Sequence, residues 1–174
     1  MIEQSDYPMA LVPPETAVTV IDLSLLESAT SASRKSPRRR IIQPLHKDGS
    51  NRLQRMINAV QPGSYIRPHR HAVERGESIV VLSGGLLYLV FDDHGRVKQH
   101  FKVQAGTSCF GIDVDGGIWH SFIVLERDTV LFEVKPGPYD SVFDKEFALW
   151  APEEYSPEVE AYIEELLQNL TTSR

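Results

Sequence analysis

Residues 63–85 read GSYIRPHRHAVERGESIVVLSGG and place a His-x-His pair between two glycine-containing turns. Side chains alternate between the two faces of an extended strand, so His69 and His71 are predicted to project to the same side. Two imidazoles arranged in this way can bind one metal ion. The pair alone is a weak signal, because two histidines also occur on solvated strands.

Two further residues strengthen the prediction of a metal site. Glu77 opens the next apolar run and shares a face with Ile79 and Val81, where a carboxylate is costly unless it is paired or metal-bound. Residues 117–125, GIWHSFIVL, place His120 in an apolar strand. A single histidine there is usually a satisfied core residue. Combined with the first pair, His120 is predicted to be a ligand of the same ion.

The turn signals between residues 51 and 135 predict an all-β region. Turns rich in Gly, Pro and Asp separate short β-rich runs at a spacing of roughly 8–12 residues. This pattern is typical of a sandwich or a barrel. The predicted strands are 52–60, 63–70, 77–83, 86–92, 96–103, 107–113, 118–125 and 128–135.

Helices are predicted on both sides of the β region. A capping box that begins at Ser24 predicts the first helix, and Ser156, followed by a proline, predicts the start of the second. Residues 17–21 are expected to form a short edge strand, and the basic run 34–40 a turn. The predicted organisation is a loose arm (1–16), a strand, helix and basic turn (17–50), a barrel (51–154) and a C-terminal helix (155–174).

Composition and charge limit the class of protein. The 174 residues carry a net charge of -6 and a single cysteine. An acidic chain lacks the basic surface that nucleic acids and anionic membranes require. One cysteine allows no internal disulfide, which fits a reducing compartment. The N-terminal residues do not resemble a secretory signal, and no apolar run reaches the ~18 residues of a membrane span. The sequence therefore predicts a cytoplasmic protein with no nucleic-acid or membrane partner.

The metal motif resembles that of the cupin superfamily, which runs G-x5-H-x-H, three or four residues, E, and x6-G. The matching residues are Gly63, His69, His71, Glu77 and Gly84. Five residues separate the second histidine from Glu77, which departs from the family pattern. Glu74 is the alternative and comes too early, after two residues. The intact x6-G spacing favours Glu77.

The second cupin motif, P-x-G-x2-H-x3-N, is present in part. Gly117 and His120 match it, whereas Asp115 stands in place of the proline and Val124 in place of the asparagine. The metal ligand of this motif is retained, and the contact of its terminal asparagine is lost.

A closer resemblance is to the WbuC family of bacterial cupin-fold metalloproteins. The matching segments are SPRRR (36–40), LQRMINAVQPGSYIRPHRH (53–71), GIWHSFIVL (117–125), VLFEVKPGPY (130–139) and DKEFALWAPEE (144–154). The resemblance implies a mainly β fold, the cupin double-stranded β-helix or jelly-roll barrel, with a bound metal. It also implies a link to O-antigen or other surface-polysaccharide genes, and it gives a site without a substrate.

Several other residues are candidates for contacts with a substrate. Tyr65 and Arg67 share the face of the histidines and are expected to point into the barrel above the metal, where they either contact substrate or fill the mouth. Glu133 and Lys135 alternate on the last strand and either pair with each other or face the cavity. Tyr65, Arg67 and Glu133 are the predicted catalytic residues, and Lys135 is predicted to bind substrate.

The basic run 34–40 admits three interpretations. It is a nucleic-acid patch, a solvated loop, or a site for an anionic ligand such as the diphosphate of a nucleotide-sugar. Arginine forks suit phosphate oxygens, so Arg38 and Arg40 are predicted to bind substrate.

Three histidines and one glutamate leave coordination positions open for water or substrate. Such ligands suit Zn, Fe, Mn, Ni or Co, and the sequence does not choose among them. The leading hypothesis is a metal-dependent isomerase or epimerase of a sugar or sugar nucleotide. The alternatives are a dioxygenase, a non-catalytic metal-dependent sugar-binding or sensor protein, and a structural β protein with chance histidines. A homodimer that covers exposed sheet edges is expected.

Overall fold

Two helices and ten strands make up the part of the chain that the computed structural model describes, residues 7–171. The helices are α1 (Leu23–Lys35) and α2 (Val159–Thr171). The strands are β1 (Arg40–Pro44), β2 (Leu53–Val60), β3 (His69–Arg70), β4 (Glu77–Ser83), β5 (Gly85–Phe91), β6 (Val97–Gln104), β7 (Gly111–Val114), β8 (Trp119–Val124), β9 (Thr129–Pro136) and β10 (Glu146–Phe147). Residues 1–6 of the predicted arm and 172–174 of the predicted C-terminal helix lie outside the described residues.

The strands form two five-stranded antiparallel sheets, in the orders β1-β2-β9-β4-β7 and β10-β3-β8-β5-β6. Without the outer strands β1 and β10, these orders are β2-β9-β4-β7 and β3-β8-β5-β6. From β2 to β9, successive strands thus lie in opposite sheets, except that β5 and β6 are neighbours in one sheet, which is the pattern of a jelly roll with eight strands in two Greek keys. The prediction of a mainly β fold with a helix near each end is confirmed.

Apolar side chains fill one end of the space between the two sheets. This interior cluster contains Ile79, Val81, Leu86, Tyr88, Val103 and Leu131. Burying each large aliphatic side chain contributes about 2 kcal/mol. The cluster therefore holds the sheets together below the level at which polar side chains enter the interior.

The helices cover the outer faces of the sheets. Ala29 of α1 packs with Ile41 and Ile57, on the first sheet. Leu166 of α2 packs with Leu89 and with other apolar residues of the second sheet. Both helices therefore lie outside the barrel, and neither reaches its interior.

Four of the predicted elements differ in the structure. Residues 17–21 form no strand, and α1 is capped by Asp22 rather than Ser24, because the Asp22 carboxylate accepts a hydrogen bond from the Leu25 amide at 3.0 Å. The predicted strand 63–70 shortens to residues 69–70, since Pro68 has no amide hydrogen to donate. The expected basic turn ends early and its last residue, Arg40, begins β1.

The N-terminal segment contacts the first sheet. The Leu11 amide donates to the Ile42 carbonyl at 2.7 Å, and the Tyr7 hydroxyl donates to the Ala32 carbonyl at 2.8 Å. The described part of the predicted arm, residues 7–16, is therefore attached to both α1 and β1.

We expect Gly84→Ala to destabilise the fold more than Gly106→Ala. Both glycines have a φ of +71°, so an alanine is strained by about 1–2 kcal/mol at either position. A Cβ at position 84 also comes within 2.8 Å of the Thr129 Cα atom, whereas a Cβ at position 106 meets nothing within 4 Å. The added overpacking is worth about 1–3 kcal/mol. Urea unfolding measures the difference, and equal losses in the two variants would contradict this account.

Candidate metal centre

The four predicted ligands meet between the two sheets. His69 of β3 pairs directly with His120 of β8, and His71 follows one residue after β3. Glu77 opens β4 in the opposite sheet. The ligand nitrogens of the three histidines all lie within 4.8 Å of one another. The four side chains are buried, with residue exposures of only 2–6%.

Backbone carbonyls determine the protonation of the three rings. The Nδ1 atom of His69 lies 2.9 Å from the Arg67 carbonyl, and that of His120 lies 2.8 Å from the Ile118 carbonyl. The Nδ1 atom of His71 contacts the Asp144 carbonyl. A carbonyl oxygen only accepts, so each Nδ1 carries the hydrogen. The Nε2 atom of each ring is therefore the nitrogen available to a metal, as in metal-ligating histidines whose second nitrogen is held by the protein.

Glu77 faces two of these nitrogens. Its Oε2 atom lies 3.2 Å from His71 Nε2, and its Oε1 atom lies 3.1 Å from His120 Nε2. The His120 nitrogen makes no aligned hydrogen bond and is fully buried. Two ligand atoms about 2.1 Å from one ion and at right angles are about 3.0 Å apart, close to both distances. Because lone pairs repel a carboxylate, a cation among these atoms satisfies the whole donor set, and the residues fit a divalent metal.

Burial and neighbouring charges also favour the protonation states in which His69 and Glu77 bind a metal, a neutral imidazole and an ionised carboxyl group. Burial lowers the pKa of His69 well below its usual range, with further contributions from Lys145 and His120. In the chain without a metal, burial would raise the pKa of Glu77, but hydrogen bonds from His120 and His71, which form when the Nε2 atoms carry a proton, outweigh it and hold this pKa well below the usual range. The imidazole of His69 is therefore neutral and the carboxyl of Glu77 ionised.

Glu133 faces the interior beside the predicted ligands. Its direct neighbours across the strands are Met56 and Ile79, which are both buried. Its Oε2 atom accepts a hydrogen bond from Asn58 Nδ2 at 2.7 Å. Burial, and then the charge of Glu77, raise the pKa of Glu133. Glu133 is thus a carboxyl group with an increased tendency to hold a proton.

Lys135 lies one layer nearer the rim of the barrel than Glu133. It pairs across the strands with Gln54, and its Nζ atom lies 2.8 Å from Asp144 Oδ2. Burial opposes the charge of Lys135, but Glu133 and Asp144 raise its pKa. Lys135 therefore pairs with Asp144 rather than with Glu133, the partner that the sequence suggested.

The expectation that Tyr65 and Arg67 point into the barrel above the ligands is wrong. The Tyr65 hydroxyl donates to the Pro152 carbonyl at 2.9 Å, and its ring packs edge-on against Tyr162 of α2. The Arg67 guanidinium donates to the Ala148 carbonyl at 2.9 Å. The segment between the Pro62-Gly63 turn and β3 is not a regular strand, so alternation does not determine where its side chains point.

The two arginines predicted to bind substrate already share a carboxylate partner. Arg38 Nε and Arg40 Nη2 lie 2.9 and 2.7 Å from Glu154 Oε1, and Arg40 also donates to the Tyr65 carbonyl at 2.8 Å. These contacts attach the segment before α2 to the start of the first sheet. The prediction that Arg38 and Arg40 hold a diphosphate stays a prediction, and in this structure their donors bind Glu154 and the Tyr65 carbonyl.

Four residues at the centre escaped the sequence analysis. They are Asn58, Tyr88, Asp144 and Lys145. Tyr88 stacks on the His120 ring at 5.8 Å between centroids, and its buried hydroxyl has no hydrogen-bond partner among the described residues. Tyr88 stands in an apolar run, so the sequence gives it no mark of a polar role. The other three reach the centre through contacts that only the folded chain reveals.

A protein-family model matches slightly less than half of the chain. Residues 21–103 match a domain of unknown function, DUF6016. No curated protein matches the chain at a significant level. Within residues 7–171, neither helix is long and apolar enough to span a membrane.

Three solved structures illustrate the similarity. TT1209 from Thermus thermophilus is 18% identical, with 68% of this chain and 96% of that chain covered and a TM-score of 0.50. The capsular polysaccharide assembling protein CapF from Staphylococcus aureus is 19% identical, with 56% and 27% covered and a TM-score of 0.48. The Cnp3 cupin domain from Schizosaccharomyces pombe is 14% identical, with 58% and 65% covered and a TM-score of 0.42.

At these identities the similarity concerns the fold alone. This chain matches only 27% of the length of CapF. The strand order, together with the similarity to TT1209, confirms the cupin jelly-roll fold. The resemblance to the WbuC family stays a prediction.

The lowered pKa of His69 predicts that the metal-free protein loses stability in mild acid. Below pH 6.5 the unfolded chain protonates this imidazole, and the folded chain does not. The free energy of unfolding therefore falls by up to about 1.4 kcal/mol per pH unit until the folded pKa is reached. Urea unfolding should show that the free energy of unfolding of the wild type drops between about pH 7.5 and 5.5. This drop should be about 1 kcal/mol smaller in His69→Gln. The control is His94→Gln in an exposed turn, and an unchanged drop in His69→Gln would contradict the prediction.

Proposed function

We propose that this chain is a metal-dependent enzyme that binds one divalent ion, Zn, Fe, Mn, Ni or Co, and acts on a small polar molecule. The proposed ligands are His69, His71, Glu77 and His120. One observation carries the proposal, namely the convergence of three buried Nε2 lone pairs and one carboxylate. Four ligands leave positions open on a six-coordinate ion, as in metal sites that bind substrate.

A divalent ion held by these residues supplies Lewis acidity that polarises a carbonyl or hydroxyl oxygen of the bound molecule. The chain itself supplies the group that moves a proton. Glu133 faces the same interior, and its raised pKa suits a carboxyl group that alternates between acid and base. Asn58 holds one of its oxygens through a 2.7 Å hydrogen bond, which leaves the other as the proton carrier.

Proton transfer beside a polarised oxygen is the chemistry of isomerases and epimerases, so we propose this reaction class. The proposed substrate is a sugar or a sugar nucleotide. The resemblance to the WbuC family supports a place in bacterial surface-polysaccharide metabolism in the cytoplasm. Lys135 stays a proposed substrate contact at the rim. Tyr65, Arg67, Arg38 and Arg40 have no part in the proposed reaction.

We also propose a homodimer. Exposed apolar side chains precede and begin α1, among them Val18, Val20 and Leu23, which are 80%, 68% and 76% exposed. Their burial in a partner copy would remove this apolar surface from water. Light scattering after size exclusion should give twice the chain mass, and Val20→Asp should shift it toward the monomer. A monomeric wild-type protein would contradict the proposal.

Metal analysis tests the proposed ligands. Protein purified without added metal should contain about one divalent ion per chain, because the donor set suits one cation. His71→Ala and His120→Ala should each lose most of it. His94→Ala, in an exposed turn, is the control and should keep the wild-type content. Equal metal in all three variants would remove these histidines from the site.

Hydrogen exchange at carbon tests the proposed reaction. Metal-loaded protein is incubated in D2O with sugars and sugar nucleotides, and NMR detects deuterium that enters the substrate carbon. Glu133→Gln should keep its metal and lose exchange by about 100-fold or more, the usual contribution of a general base. Ligand-dependent thermal stabilisation without any exchange would instead identify a binding protein and contradict the enzymatic proposal.

A further inference from the structure

Lys145 lies beside the metal ligands although no sequence motif marks it. β10 pairs antiparallel with β3, with Glu146 opposite Arg70 and Phe147 opposite His69. One step further in this register, Lys145 lies opposite His71. Directly opposed side chains project from the same face of a sheet. Lys145 therefore points to the side on which the ligand imidazoles meet.

The charges around Lys145 agree with this placement. Its ammonium group contributes to the lowered pKa of His69 and acts on the carboxyl of Glu133. Burial, and then the charge of Lys135, lower the pKa of Lys145 itself. The ammonium group is therefore close to the predicted ligands and poorly solvated.

Lys145 is also a cation without a carboxylate partner. The two carboxylates that act most on it each bind another group through one oxygen, since Asp144 binds Lys135 at 2.8 Å and Glu133 accepts from Asn58 at 2.7 Å. In the described part of the chain, no carboxylate lies within 4.0 Å of the Lys145 ammonium group, the limit for an ion pair. A partly buried cation in this position is costly unless an anion joins it.

We propose that Lys145 recognises an oxyanion, a carboxylate or phosphate group, on the molecule that binds at the metal. This inference rests on the proposed metal site and narrows its substrate from sugars in general to acidic sugars or other small acids. The ligand's anionic group binds the ammonium of Lys145, while a neighbouring oxygen reaches the metal. The raised pKa of Glu133 reduces the negative charge that would oppose such a ligand.

Phe147 pairs with His69 across the strands, and its ring is partly exposed. Its centroid is 6.2 Å from that of His69, and the residue is 46% exposed. A small acid at the metal would therefore contact the ammonium group of Lys145, the imidazole cluster and the ring of Phe147. Lys135 is a poorer candidate for this role, because Asp144 already neutralises it.

Titration of the full chain loaded with Co(II) tests this assignment. The probes are glycolate and inorganic phosphate, with glycolamide as the uncharged analogue of glycolate, and the visible spectrum of the bound Co(II) reports binding. Lys145→Gln should bind glycolate and phosphate with an affinity lower by about tenfold or more, the loss expected for one charge-assisted hydrogen bond. The affinity of this variant for glycolamide should equal that of the wild type. Lys145→Arg should keep most of the affinity, and Lys102→Gln on the exposed strand β6 should match the wild type.

The possible outcomes are distinguishable. Lys145-dependent binding of glycolate or phosphate supports the proposal and identifies the recognised group. Full Co(II) content with unchanged affinity for both anions overturns the role of Lys145 and leaves the metal site standing. Loss of Co(II) from Lys145→Gln overturns it too, because the lysine would then help to build the site. A wild-type chain that takes up no Co(II) overturns the metal site and this inference together.

Discussion

The hydrogen bonds from Nδ1 of three buried histidines to backbone carbonyls are the constraint on which the rest depends. They commit His69, His71 and His120 to the tautomer whose Nε2 atom carries a lone pair. Those lone pairs then face the carboxylate of Glu77, an arrangement that is unfavourable without a cation. The three carbonyls belong to segments that lead into β3, β8 and β10, so the pairing of these strands in the second sheet orients the three imidazoles before any ion arrives.

The polar interior exists because the barrel is filled unevenly. Apolar side chains such as Leu131 and Val81 occupy one end, and from Glu133 outward the same strands turn charged residues inward. Buried charges are costly, and the chain offsets much of this cost by pairing Lys135 with Asp144. The strands that build the core thus also carry the site, and a change in their register would move both at once.

The sequence was informative where the relevant contacts are local or periodic. The spacing of His69, His71 and Glu77, and the apolar setting of His120, were enough to predict the cluster. Alternation failed for Tyr65 and Arg67, because the segment before β3 is irregular and α2 covers it. The contacts of Arg38 and Arg40 could not be predicted, because their partner, Glu154, lies more than a hundred positions along the chain. Lys145 and Asn58 reach the centre only through long-range register, which no local pattern encodes.

The segment after β9 has two roles in the same few residues. The carbonyl of Asp144 holds the ring of His71, and the next residue, Lys145, faces the ligand imidazoles. A metal ion bound by His71 and an anion bound by Lys145 would therefore both restrain the same short segment of the chain. Thermodynamic reciprocity requires that each increases the affinity of the other by the same factor. The fraction of chains that hold the ion would then rise with the concentration of the acid. The ion and the acid would bind cooperatively without any change of fold.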